Sequence, residues 1–467
     1  MSTEPARKPA LAFAAASLLF AGTVSALMVV AGWCDLHSLR EFPIDDYGVY
    51  TNWIWNSGHG APFKFLVDGN YLTTHLSFTL LLLAPLFWAW DHMALLMVVQ
   101  WALPLIGGTI VFATATRLGI ALPLRAALAA LFVVYPYAQS PVLYTFHGVC
   151  LYFLLVPWVY HCLRFSRRWV WLPWLLMLGV REDAGLLILP MLLYFAIAHR
   201  DRLAQLLSLL TVVYSLVAIY VLFPAIVGKS LAKRRKLEMN PNRLKQSLDA
   251  TGLLRRAVAL FWLVLPAIPL LRRRWRPILI FPAAGTAILM LSWWDVRHGL
   301  TSHYSAYVFP FFVMGVLEAV AGVEEYRAAA GAASPLRLAG WIMGAVVFAH
   351  FTLGRFPSEY FRTARRLDLT CDPAMSSAFE AAKLIPRTGL LIADKRLFSR
   401  VANRADIAAL EGQKFGRPVK DADSVFLMRT EPGGEELYQR LSADGDFAAR
   451  FVDERFAVFV RTAARKP

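Results

Sequence analysis

The sequence predicts an all-α polytopic membrane protein of about eleven transmembrane helices, followed by a small α/β domain outside the membrane. Three observations carry this reading. First, 58% of the 467 residues are hydrophobic and the mean hydropathy is +0.49, above the apolar share of about 45–50% in a soluble domain. Second, several apolar runs approach the roughly 20 residues that cross a bilayer, and short Lys/Arg clusters separate them. Third, the chain turns polar from Arg355, where GLLIA and SVFLM alternate with helix-like stretches. The expected division is a membrane domain over 1–354, with a first outer loop over 34–75, and an extramembrane domain over 355–467.

The net charge of +16 does not point to nucleic acid. Its Lys and Arg lie in short clusters between apolar runs, as in loops facing anionic headgroups of membrane lipids. Cys34, Cys150, Cys162 and Cys371 have no CxxC spacing, so neither a zinc site nor a disulfide framework is expected.

The expected spans follow in order. Leu11–Trp33 is the first, with Arg7 and Lys8 holding its start in the cytoplasm. It is long for a signal-peptide core and is read as retained. Leu76–Trp90, broken by Pro85, is short and is read as re-entrant from the outer side. Met93–Thr116 runs inward and Ala126–Ser140 outward. Val149–Leu163 runs inward, Trp169–Val180 outward and Ala184–Ala198 inward. Leu203–Val227 runs outward, Ala257–Leu271 inward, Pro277–Trp294 outward, Ser305–Val323 inward and Leu336–Gly354 outward. Basic clusters at 117–125, 164–168, 200–202 and 272–276 then share the cytoplasmic side. The C-terminal domain falls outside.

On that assignment Asp45, Asp46, His75, His147, Glu182, Asp183 and His303 all fall on the outer face. The stretch FPIDDYGVYTNWIWNSGHG (Phe42–Gly60) is the densest part of this set. Tyr47, Tyr50 and Ile54 are spaced i, i+3 and i+7, which predicts a short helix in the membrane interface, where Tyr and Trp settle. Asp45 or Asp46 either caps that helix or acts as a base that takes a proton from an acceptor hydroxyl. Glu182 and Asp183 sit between two short apolar runs, inside the outer half of the membrane. They are either a pair neutralised by Arg181, or a second functional carboxylate set that could hold a hard divalent cation, Mg²⁺ or Mn²⁺. His75, His147 and His303-Tyr304 are read as substrate-binding candidates beside the plainer roles of structural histidines and an interfacial anchor. Nine Lys or Arg fall between Gly228 and Arg256, among them Arg234 and Arg235. That segment lands outside, against the charge rule, and an anionic ligand would give it a reason to be there.

Several stretches resemble a family of bacterial membrane proteins of unknown function related to the GT-C superfamily of polytopic glycosyltransferases. They are DYGVYTNWIWNSGHG (Asp46–Gly60), THLSFTLLLLAPLF (Thr74–Phe87), Gln100, TFHG (Thr145–Gly148), REDAGLL (Arg181–Leu187) and SHYSAYVFPF (Ser302–Phe311). Together they cover about residues 40 to 320. The sequence departs from the family pattern at Thr51, where an acidic residue is common, and at Phe78, where a proline is. Gly148-Val149 stands in place of Pro-Glu, so an acid near His147 is missing.

The resemblance implies a GT-C-like fold in the bacterial inner membrane, with the C-terminal domain outside. It implies a polyprenyl-phosphate-linked sugar donor, and Asp46 as catalytic base, with Asp45 beside it. A non-catalytic protein that binds or transports a lipid-linked substrate is the alternative; Glu182-Asp183 would then relay a proton or ion. In either case Asp46 and the Glu182-Asp183 turn are expected to face one pocket, with His75 on its rim.

Overall fold

The computed structural model describes residues 4–37, 47–227, 249–291, 302–330, 335–353 and 373–462. Asp45, Asp46, Arg234 and Arg235 lie outside the described residues. The first helices are α1 (Glu4–Leu36), α2 (Val49–Gly58), α3 (Leu86–Ala89), α4 (Leu95–Arg117), α5 (Leu122–Val134) and α6 (Pro136–Val142). They are followed by α7 (Tyr152–Phe165), α8 (Trp171–Leu178), α9 (Ala184–Ala198), α10 (Arg202–Val217) and α11 (Phe223–Val227). The last helices of the apolar part are α12 (Ala250–Val264), α13 (Ile268–Ile280), α14 (Ala283–Met290), α15 (Phe309–Ala330) and α16 (Pro335–Leu353).

Among the described residues six helices are long and apolar enough to cross a membrane: Lys8–Cys34, Leu95–Arg117, Gly148–Phe165, Arg202–Val227, Ala250–Arg272 and Pro335–Leu353. The bent pair α5 and α6, at 40°, makes a seventh if it is one span. The bend follows from Pro136, which drives Tyr135 into extended backbone (φ −63°, ψ 147°).

Among the described residues, length and apolarity alone pick out six or seven spans and do not confirm the count of about eleven. The Trp169–Val180 run forms only the eight-residue α8, after a 3₁₀ turn over Arg167–Trp169. The 15 residues of α9 reach about 22 Å, against a hydrocarbon core of roughly 30 Å. The run after Pro277 is interrupted at Pro282, where α13 gives way to α14. Leu76–Trp90 holds a short helical piece, Phe78–Ala89.

Helix α5 is the centre of the bundle. It packs against α1, α4 and α16, and every side chain from Ala126 to Val134 is buried, as expected of a helix apolar all round. Helices α4 and α7 approach at Gly107, where a Cβ would lie 2.0 Å from the Phe153 carbonyl oxygen; only glycine permits this crossing. Leu19, Ile197 and Phe351 are exposed on the outside of the bundle, a surface that suits lipid tails.

A two-stranded hairpin, β1 (Lys64–Phe65) and β2 (Gly69–Asn70), follows α2. The C-terminal unit contains β3 (Leu391–Ala393), β4 (Ile407–Leu410), β5 (Gly416–Arg417), β6 (Ser424–Met428), β7 (Phe447–Val452) and β8 (Phe456–Arg461). Its six strands are ordered β5-β4-β3-β6-β8-β7. Strands β5, β4, β3 and β6 are parallel, and β8 and β7 add antiparallel pairs. All residues of β3 and β6 are buried, as in a central sheet covered on both faces.

This unit rests on α2 and the hairpin. Asn52 Nδ2 donates to the carbonyls of Ala402 (3.0 Å) and Arg404 (2.6 Å), while its Oδ1 accepts from Leu66 N (2.6 Å). Asn56 donates to Ala405 O at 3.2 Å, and Lys64 pairs with Asp406 at 2.7 Å. The short helix expected over this stretch is present as α2, and protein covers it. Tyr47 and Trp53 are buried in protein, because the two asparagines fasten this helix beneath the C-terminal unit.

Candidate functional site

Three loops and α2 meet at one end of the helix bundle. The turn after α8 presents Arg181, Glu182 and Asp183. Eight residues of helix span only about 12 Å, so a membrane-inserted α8 leaves this turn below the surface, where protein must satisfy it. The segment after β2 does so. His75 Nδ1 lies 3.0 Å from Glu182 Oε1, and Leu76 N–H donates to Oε2 at 3.2 Å. Thr79 completes the link: its N–H donates to Gly179 O (2.9 Å) and its hydroxyl to Leu176 O (2.6 Å).

Arg181 Nε lies 3.6 Å from Glu182 Oε1 and 3.3 Å from Asp183 Oδ1. Its Nη1 donates to the Tyr307 hydroxyl, and Nη2 takes no part in these contacts. The two carboxylates are almost wholly buried, with side chains 2% and 3% exposed, whereas Arg181 is 22% exposed. The guanidinium thus lies against both carboxylates and is the most exposed of the three side chains. Burial, and next the nearby Arg181, lower the His75 pKa from 6.5, so the ring is neutral at pH 7 and donates through Nδ1–H. The N–H bonds to Glu182 favour its ionised form.

His147 and His303 form the second half of the site. Their rings stack with centroids 3.6 Å apart and planes 11° apart. Gln100 on α4 shapes the loop that carries His147: its amide donates to Pro141 O (2.8 Å) and Tyr144 O (2.9 Å), and its oxygen accepts from His147 N (3.0 Å). His303 stands in the 3₁₀ turn Ser302–Tyr307, with the Tyr304 ring 4.1 Å away. Gly285 lets that turn come close, since a Cβ there would lie 2.1 Å from Tyr307 O.

Tyrosines join the two halves. Tyr50 on α2 lies 5.6 Å from both Tyr71 and His147 by ring centroids. Tyr71 stacks on Trp53 at 4.3 Å. Tyr152 lies 6.0 Å from Tyr307, and its buried hydroxyl has no hydrogen-bond partner among the described residues. The structure therefore brings His75 to Glu182, Asp183 to Arg181, and His147 to His303 and Tyr304. Sequence reasoning passed over Tyr71, Tyr152 and Tyr307. Tyr307 was within reach, one helical turn after His303 in SHYSAY.

Glu182 and Asp183 do not by themselves fit a divalent cation. Arg181 lies against both of them, and both Glu182 oxygens already accept N–H bonds. A hard cation needs several free oxygen ligands.

The basic clusters gather at the other end. Arg117 covers the Phe165 ring at 4.6 Å, Arg167 pairs with Asp201 at 2.7 Å, and Arg164 pairs with Glu318 at 3.1 Å. Helix α9 separates the two ends, with Asp183 before its first residue and His199 after its last.

A family model described as a predicted membrane protein, DUF2079, matches residues 45–451. The chain is also similar to crystal structures of ArnT from Cupriavidus metallidurans. Against ArnT bound to undecaprenyl phosphate the identity is 14%, over 95% of this chain and 98% of that one, with a TM-score of 0.49. Against the apo state the identity is 13%, over 94% and 97%, with a TM-score of 0.45. No curated protein matches the chain.

Proposed function

The chain belongs to the DUF2079 family of predicted membrane proteins, and we propose that it transfers a sugar from a polyprenyl-phosphate-linked donor on the outer face of the bacterial inner membrane. In this reading the Asp46 carboxylate, with Asp45 beside it, takes the proton from an acceptor hydroxyl. The acceptor oxygen bonds to the anomeric carbon, and the bond from that carbon to the phosphate oxygen breaks. Its electron pair leaves with the polyprenyl phosphate.

The observation that carries the reading is the Arg181 guanidinium held against Glu182 and Asp183. Fixed on one side by two buried carboxylates and by Tyr307, it offers Nη2 to a phosphate oxygen of the donor. His75 positions Glu182 and lines the rim. The His147–His303 stack and Tyr304 form an aromatic wall for the sugar, and the Tyr152 hydroxyl is a donor next to it. Arg234 and Arg235, outside the described residues, add positive charge for the phosphate. The N-terminus is cytoplasmic and the C-terminal domain outside, because the basic end of the bundle belongs in the cytoplasm.

The test uses full-length protein in proteoliposomes with a panel of polyprenyl-phosphate sugars. The wild type releases polyprenyl phosphate, and Asp46→Asn loses this by about a hundredfold or more with expression unchanged. Equal release from Asp46→Asn removes the assigned base. Binding or translocation of the lipid-linked sugar with no release places the protein with non-catalytic carriers instead.

A further inference from the structure

The basic end of the bundle holds a cavity of about 420 Å³, away from the carboxylate–imidazole end. It lies among Arg164 at the end of α7, His199 after α9, Arg274 and Arg276 in α13, and Glu318 on α15. Its shape comes from a break in α13. Arg274 leaves helical geometry (φ −137°, ψ 37°), and its Nη2 donates to Gly322 O at 2.8 Å. A Cβ on Gly322 would meet the Arg274 guanidinium carbon at 2.8 Å, so the broken strand of α13 lies directly on α15.

The cavity carries an excess of cations. Its one carboxylate among the described residues, Glu318, is 5% exposed and already engaged: Arg164 Nη2 lies 3.1 Å from Oε2, His199 Nε2 lies 2.9 Å from Oε1, and the Tyr160 hydroxyl donates to it. Arg274 and Arg276 have no carboxylate partner among the described residues, and both are exposed toward the opening. Two guanidiniums around a concave site of this volume suit an oxyanion with a substituent attached.

From this we infer that the basic end is a second binding site, selective for a phosphate ester. Arg274 and Arg276 grip the phosphate, and Glu318 holds Arg164 and His199 in place as the wall behind it. The site is independent of the transfer reading, since none of its residues belongs to the other end. An anionic phospholipid headgroup and a soluble phosphate ester present the same group to these arginines.

Binding is measured on full-length protein in nanodiscs. One arm counts phosphatidylglycerol retained per protein by native mass spectrometry. The other titrates glycerol 3-phosphate into protein held in phosphatidylcholine nanodiscs. Saturable retention of phosphatidylglycerol identifies the lipid source, and saturable binding of glycerol 3-phosphate the soluble one. In whichever arm binds, the double variant Arg274→Gln/Arg276→Gln weakens binding by about tenfold or more. Arg168→Gln, on the same face but outside the cavity, leaves it unchanged. Ala198→Phe fills the exposed mouth without removing charge and also abolishes binding, which covers the case of a double variant that does not fold. No saturable binding in either arm, or binding that survives both the double variant and Ala198→Phe, overturns the inference.

Discussion

The His75 ring and the Glu182 carboxylate meet at 3.0 Å although 107 residues separate them in the chain. This contact ties the loop after the β1–β2 hairpin to the turn between α8 and α9. Because the Glu182 side chain is 2% exposed, its removal leaves the donors on His75 and Leu76 without their acceptor and takes a counter-charge from Arg181. Glu182→Ala is expected to lower stability by about 3–5 kcal/mol. Glu182→Gln keeps an acceptor and is expected to cost roughly half of that or less. Thermal unfolding of the two variants in one detergent checks the order; equal losses would show that the hydrogen bonds do not matter.

Acid provides a separate test of the same pair. Burial first, and Arg181 second, lower the His75 pKa from 6.5. Below pH 6.5 the unfolded chain therefore binds more protons at this ring than the folded protein does. Stability falls as the pH drops through 6.5 and levels off below the folded value. His75→Gln lacks this titration. The stability difference between wild type and His75→Gln should be constant above pH 7 and shift against the wild type from pH 6.5 downward. A difference independent of pH would mean that His75 is not a neutral buried donor.

Much of this site is readable in the sequence, but not its closure. Arg181, Glu182 and Asp183 stand out because three charges between two apolar runs must be met by protein. The charge rule places His75, His147 and His303 at the same end as that turn. The stacking of His147 on His303 is not readable, since it depends on Gln100 folding the loop from another helix. Nor is the burial of α2: its aromatic pattern suits a membrane interface equally well, and the carbonyls that hold Asn52 lie some 350 residues away. The span count of about eleven is not settled by apolar length, for a related reason. Hydropathy measures apolar length, whereas the break at Arg274 and the turn at Gly179 set helix length.

The C-terminal unit is held to the membrane part through Asn52. Its amide makes two bonds to the 402–404 carbonyls and one with Leu66 N. Asn52→Leu keeps the volume but leaves those three groups unpaired in a buried place, and is expected to cost about 2–4 kcal/mol. Hydrogen exchange of residues 400–406 should quicken in Asn52→Leu while the amides of α5 remain protected. Unchanged exchange at 400–406 would show that other contacts hold the two parts together.

The central claim is that the first outer loop and the Glu182-Asp183 turn form a single pocket for a lipid phosphate. An experimental structure of the full chain determined with polyprenyl phosphate added tests it most directly. The account predicts phosphate density within hydrogen-bonding reach of Arg181, with the Asp46 carboxylate within about 12 Å of Glu182 or Asp183, close enough for one substrate to touch both. Density at this end with Asp46 more than about twice that far away, or Asp46 at the basic end of the bundle, would contradict it.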